Sequence, residues 1–111
     1  MLSGLLEIES EGAPGFLAEV SGLFTAQGRL NLDALRVAAT SGDLPSWRSR
    51  LHTLRGSANS VGALRLAELC RRLEREAERT GTAGTPAVMG DLEAEYDRAR
   101  RQLESLGPAR A

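Results

Sequence analysis

The chain has no lysine, and all 14 of its basic residues are arginine. Without lysine there is no GxxxxGK[ST] phosphate loop, no kinase strand lysine, no Schiff base and no SxxK nucleophile. Histidine and cysteine occur once each, as His52 and Cys70. One of each cannot build a Cys/His zinc site or an HExxH helix, so no metal site is expected. A lone cysteine closes no intramolecular disulfide, which suits a reducing compartment. Aromatics are 4% of residues and isoleucine appears only at Ile8, so the alternating β-branched runs that mark strands are missing. Together these absences exclude a self-contained ATP-using enzyme and leave few groups able to do chemistry.

What remains is balanced. The 111 residues carry a net charge of −1, with arginines interleaved among glutamates rather than gathered into a basic block. That pattern does not mark a nucleic-acid surface. The N-terminus, Met1 to Glu7, has no basic segment before its apolar residues and is not a signal peptide. No apolar run approaches the roughly 20 residues that span a bilayer. The expectation is one cytoplasmic, monomeric domain over residues 1–111, with its core in 2–106 and a tail at 107–111, and no partner among nucleic acids or membranes. Arginine in place of lysine, with abundant alanine and glycine, fits a GC-rich bacterial genome.

Helical periodicity recurs along the chain. A short leader at Leu2–Ile8 is closed by Glu11-Gly12-Ala13-Pro14. Phe16, Leu17, Val20, Leu23 and Phe24 then form one stripe, continued by Leu32, Leu35 and Ala38, with Gly28 and Asn31 suggesting a bend at 28–31. Asp43 suits an N-cap, and Pro45 fits the first turn after it. The next stripe is Trp47, Leu51, Leu54, Ala58 and Val61, stopped at Gly62. A further helix carries Leu66, Ala67, Cys70, Leu73 and Ala77, with Glu68–Arg72 and Arg75–Glu78 pairs on its outer face. After a loop at Thr80–Pro86, the last stripe is Met89, Leu92, Tyr96, Ala99, Leu103 and Leu106, ended by Gly107-Pro108. Four amphipathic helices with short connections predict an all-α fold: an antiparallel up-down four-helix bundle with a short N-terminal helix.

One feature does not belong to a plain bundle. At about 100° per residue, His52 points roughly 140° away from Trp47, outside the apolar stripe. Arg48, Arg55, Gly56 and Asn59 share its flank. A helix-interior glycine costs about 0.5–1 kcal/mol relative to alanine. Gly56 lies one turn from His52 and away from the core, where the missing side chain clears space over the imidazole. Two nearby guanidiniums favour a neutral, nucleophilic ring, and afterwards they can pair with a dianionic group. An uncovered imidazole beside arginine suits a transient phosphoryl group. Trp47, Tyr96 and Cys70 lie on apolar stripes and read as core, and the charged run at 71–79 reads as a solvated face.

The segment from Leu51 to Ala63 resembles the signature of the histidine phosphotransfer domains of multistep phosphorelays, His-x-x-[Lys/Arg]-Gly with a second glycine six residues on. The resemblance extends over most of the chain, about residues 2–106. It implies that His52 is the phospho-accepting residue, through Nε2, and that Arg55 stabilises the phosphoryl oxygens where the family more often has lysine. It implies that Gly56 keeps the site open to the partner and that Gly62 ends the motif. Arg48 and Asn59 enter only through helix geometry. The implied role is a phosphocarrier that needs no cofactor or ATP site of its own. It accepts a phosphoryl group from a receiver aspartyl phosphate, or from a hybrid or chemotaxis-type kinase. It passes the group to the aspartate of a response-regulator receiver, which brings the Mg²⁺. Two alternatives stand beside it: the phosphotransfer domain of a chemotaxis-type kinase, and a helical adaptor that binds a receiver or kinase without being phosphorylated. Leu6, Leu17 and Leu23 are candidates for a docking surface beside His52.

Overall fold

The computed structural model describes residues 16–106, and these form four helices: α1 (Phe16–Ser41), α2 (Leu44–Val61), α3 (Leu64–Thr80) and α4 (Pro86–Leu106). There is no strand among the described residues. The expected leader at Leu2–Ile8, the stop at Gly107-Pro108 and the tail lie outside them. Consecutive helices run antiparallel through two very short turns and one longer loop. Around the bundle α1 packs on α2 and α4, while α3 packs on the same two helices. None of the four is long and apolar enough to cross a membrane.

The helix ends follow from their residues. Asp43 caps α2 by accepting from the backbone N–H of Ser46 at 3.2 Å and from its hydroxyl at 2.8 Å. Pro45 sits in the first turn, where its missing N–H has no partner to lose. At the other end Gly62 takes a left-handed conformation, φ 76°, and donates to Ala58 and Asn59. Ala63 N–H then reaches back to the Ala58 carbonyl at 2.8 Å, completing the stop. The hydroxyl of Thr85 accepts from Val88 N–H at 3.3 Å and starts α4.

The core is the set of apolar stripes. Trp47, Leu51, Leu54, Ala58 and Val61 are all buried, as are Leu66, Ala67, Cys70, Leu73 and Ala77 of α3 and Met89, Leu92, Tyr96, Ala99 and Leu103 of α4. Each large side chain among them contributes about 1.5–3 kcal/mol by leaving water. Leu106 is half-buried at the edge. Burial pushes the Cys70 thiol up to about 12, helped by the Glu74 carboxylate and opposed by Arg55. The thiol is therefore a small apolar core group at neutral pH.

Three expectations change. The bend at 28–31 is absent, and α1 runs unbroken for 26 residues. Gly28 is there for packing, because a Cβ at that position would strike the Tyr96 ring. Asn31 is buried rather than helix-breaking, and its side-chain oxygen accepts from Arg50 at 3.4 Å. Leu23 leaves the core stripe and is 61% exposed, while Phe24 beside it stacks on Tyr96 with ring centroids 5.3 Å apart. The side chains of Phe16 and Leu17 lie outside the described residues. On α3 the surface pairs are also different. Glu68 binds Arg71 rather than Arg72, and Glu78 turns to Arg48 on α2 rather than to Arg75.

Candidate functional site

His52 lies in the middle of α2, on the flank turned toward α3. The five apolar residues of α2 fill one side of the helix against the core, which leaves His52 no room among them. Its side chain is 72% exposed. Arg55, one turn further on, reaches back so that Nη2 lies 3.0 Å from His52 Nδ1. Gly56 is exposed, and a Cβ built there meets nothing within 4 Å. The three residues read from the sequence as a unit are brought together: the imidazole is exposed, the Arg55 guanidinium lies against its Nδ1, and Gly56 adds no side chain beside it.

The structure adds Glu74 of α3. Its Oε2 accepts from Arg55 Nε at 2.7 Å, and its Oε1 lies 3.5 Å from Arg55 Nη2 and 3.7 Å from His52 Nδ1. Arg55 and Glu74 are both only partly exposed, so their ion pair is better shielded from water than an ordinary surface pair. Glu74 was not among the residues singled out from the sequence, although one sign of it exists. It follows Cys70 by four residues and therefore sits at the edge of the buried stripe of α3, where an apolar side chain would be expected.

The flank residues divide. Arg48 is one turn before His52 and bonds Glu78 of α3 at 2.9 Å. With Leu44, Pro45, Ser49, His52 and Glu74 it lines an open recess of about 370 Å³. Asn59 is exposed but stands seven residues beyond His52, about 10 Å along the axis. Gly62 is about 15 Å away by the same measure, and its visible task is to end the helix. Both arginines beside the imidazole are paired with carboxylates. The ring faces two ion pairs and not two bare cations. Among the described residues no group of three or more His, Cys, Asp or Glu side chains is placed to hold a metal ion.

The arrangement can present one nucleophile and one guanidinium to a flat partner, and little else. It forms no closed cavity for a small substrate, so the reacting group must arrive on another surface. Imidazole forms covalent intermediates, and arginine pairs with phosphoryl oxygens through two parallel N–H donors.

Comparison with known proteins agrees with this picture. Two curated relatives come from Arabidopsis thaliana. Histidine-containing phosphotransfer protein 2 is 28% identical over 105 residues, covering 92% of this chain and 67% of the relative. Histidine-containing phosphotransfer protein 5 is 26% identical over 107 residues, covering 94% and 68%. The crystal structure of histidine-containing phosphotransfer protein B from Pseudomonas aeruginosa PAO1 has the same fold. It superposes with a TM-score of 0.78 at 24% identity, over 91% of this chain and 87% of that one. The model of the Hpt domain matches residues 19–102, the whole of α2 and α3 and most of α1 and α4. The chain is a member of the Hpt domain family.

Proposed function

We infer that this chain is a phosphorelay intermediate whose carrier group is His52. It takes a phosphoryl group from the aspartyl phosphate of a receiver domain, or from a kinase, and hands it to the aspartate of a response-regulator receiver. The observation that carries this reading is the exposed imidazole with Arg55 against it and no side chain at Gly56.

The transfer needs little from this side. One imidazole nitrogen attacks phosphorus in line as the aspartyl oxygen leaves with its electron pair. A loose transition state of this kind depends on positioning and on charge neutralisation. Arg55 is close enough to pair with the phosphoryl oxygens once the group is on the ring, and Gly56 lets the partner's surface come down onto it. The Mg²⁺ and the remaining charge stabilisation belong to the receiver. The chain then acts as a carrier without an ATP site, in keeping with its lack of any lysine.

Incubation with a phosphorylated receiver is expected to label the protein with an acid-labile, base-stable phosphate. His52→Gln is expected to abolish the label while leaving the helical circular dichroism unchanged. A label that persists in this variant overturns the assignment.

A further inference from the structure

Leu23, Leu30 and Val37 of α1 are 61%, 67% and 66% exposed. Among the described residues one other large apolar side chain is exposed, Leu64 of α3. The three on α1 recur every seven residues, which at about 100° per residue keeps them within about 40° of one another. The buried residues of the same helix, Phe24, Leu32, Leu35 and Ala38, point about 80–200° away from Leu30. α1 therefore carries two apolar faces. One is used by the bundle, and the other is a narrow seam of the period on which a second helix packs.

The order of residues along the seam selects the occupant. Leu23, Ala26, Leu30, Ala34 and Val37 stand seven and four residues before Leu30, at it, and four and seven after it. Large and small side chains alternate, and the pattern is the same read in either direction. A partner of different sequence needs no such symmetry, whereas a second copy related by a two-fold axis does. We propose that α1 is a self-association surface, on which α1 of a second copy packs antiparallel about a two-fold axis through Leu30.

In that register Leu30 meets the partner's Leu30, and Leu23 meets the partner's Val37. Ala26 comes level with the partner's Ala34, where two small side chains let the backbones approach. The charges choose the direction. Arg29 and Asp33 are both exposed and lie on one edge of the seam, about 100° and 60° round from Leu30. The antiparallel crossing sets this edge against itself, so each Arg29 faces the partner's Asp33. A parallel crossing sets it against the opposite edge, where Gln27 and Ala34 stand, and pairs no opposite charges. Asp33 bonds Arg36 at 3.2 Å in the single chain, an exposed pair that solvent screens and that exchanges easily. From Leu23 to Val37 the seam runs about 21 Å, and specific interfaces bury at least about 1,000 Å² in total. A seam this short stands near that lower bound. The pair is then reversible, and the monomer expected from the sequence is its dilute form.

Sedimentation equilibrium of the full chain over a wide concentration range tests the proposal. The wild-type mass is expected to rise from monomer toward dimer as concentration increases. Leu30→Glu sets two like charges against each other on the axis and is expected to hold the protein monomeric, with its denaturation midpoint unchanged. Leu64→Glu, outside the seam, is expected to associate as the wild type does. Arg29→Asp is expected to weaken association several-fold, and adding Asp33→Arg to it is expected to restore the wild-type value. This charge exchange touches no buried residue, so it decides the matter even where Leu30→Glu folds poorly. A wild-type chain that stays monomeric at every concentration overturns the proposal. In that case a loss of stability in Leu30→Glu would assign the seam to the chain's own residues 1–15. A loss of receiver binding in the same variant would assign it to the receiver. A dimer that survives Leu30→Glu, or a double charge exchange that restores nothing, overturns it as well. No phosphoryl donor enters the measurement, so its outcome is independent of the phosphotransfer reading.

Discussion

Gly28 in α1 and Gly56 in α2 each lie inside an unbroken helix, at a cost of about 0.5–1 kcal/mol relative to alanine. In the seam between α1 and α4, the space left by Gly28 is filled from within by the buried Tyr96 ring. The ring stacks on Phe24, and its hydroxyl donates to the Thr25 carbonyl at 2.7 Å. On the face shared by α2 and α3, the space left by Gly56 is filled by nothing. One glycine is used by the molecule itself, while the other is left for something that arrives. Open space alone does not make a site, because Gly22 and Gly90 also have no neighbour within 4 Å. What sets Gly56 apart is a nucleophile one turn away and a guanidinium beside it.

The largest effect is expected from filling the first space. Gly28→Leu should prevent stable folding, and Gly28→Ala should cost about 1–3 kcal/mol, the range for overpacking a tight contact, despite the gain in helix propensity. Chemical denaturation measures it. Wild-type stability in Gly28→Ala would mean that Tyr96 yields easily and that the contrast between the two seams is false.

Filling the second space should act on function and leave the fold alone. Gly56→Ala is expected to stabilise the protein by about 0.5–1 kcal/mol, since it adds helix propensity and meets no neighbour. Gly56→Trp is expected to fold normally and to lose about tenfold or more in transfer rate, a barrier increase of about 1.4 kcal/mol. Stopped-flow transfer from a phosphorylated receiver, read beside a denaturation curve, separates the two. A loss of stability equal to the loss of transfer would make Gly56 a packing glycine after all.

The same contrast explains what could be read from the sequence. The α2 stripe, from Trp47 to Val61, was legible because spacings of four and three admit only one helical face. His52, Arg55 and Gly56 were legible because they lie within one and a half turns of a single helix, so local geometry places them. Gly28 looked like a bend because its cost is local, whereas Tyr96, which gives the reason for it, is on another helix. Leu23 lies next to Phe24 at the edge of the α1 stripe, and only the rotation of α1 against α2 and α4 decides which of the two faces inward. Glu74 was missed for the same reason. Its partners are on α2, and a pairing between helices depends on their relative rotation, which no spacing within α3 reveals. The carboxylates that pair with Arg48 and Arg55 were missed in the same way, since both lie on α3.

The smallest expected effect comes from a second ion pair that looks like the first. Arg65 of α3 binds Glu95 of α4 through Nε at 3.2 Å and Nη2 at 2.8 Å, a clasp of the same kind as Arg55 with Glu74. It has no imidazole against it, and Arg65 is 68% exposed where Arg55 is 29%. Solvent screens such a pair strongly, so Arg65→Ala should change stability little. Its transfer rate should stay at the wild-type value, because no atom of the clasp reaches the phosphoryl path. Arg55→Ala should slow transfer several-fold, having lost the donor nearest the ring. The two variants remove the same group from matching pairs on neighbouring seams, so differences in net charge cancel between them. Equal transfer rates in the two would show that Arg55 is only a clasp. A slow Arg55→Ala beside a normal Arg65→Ala shows that the ion pair at His52 belongs to the reaction.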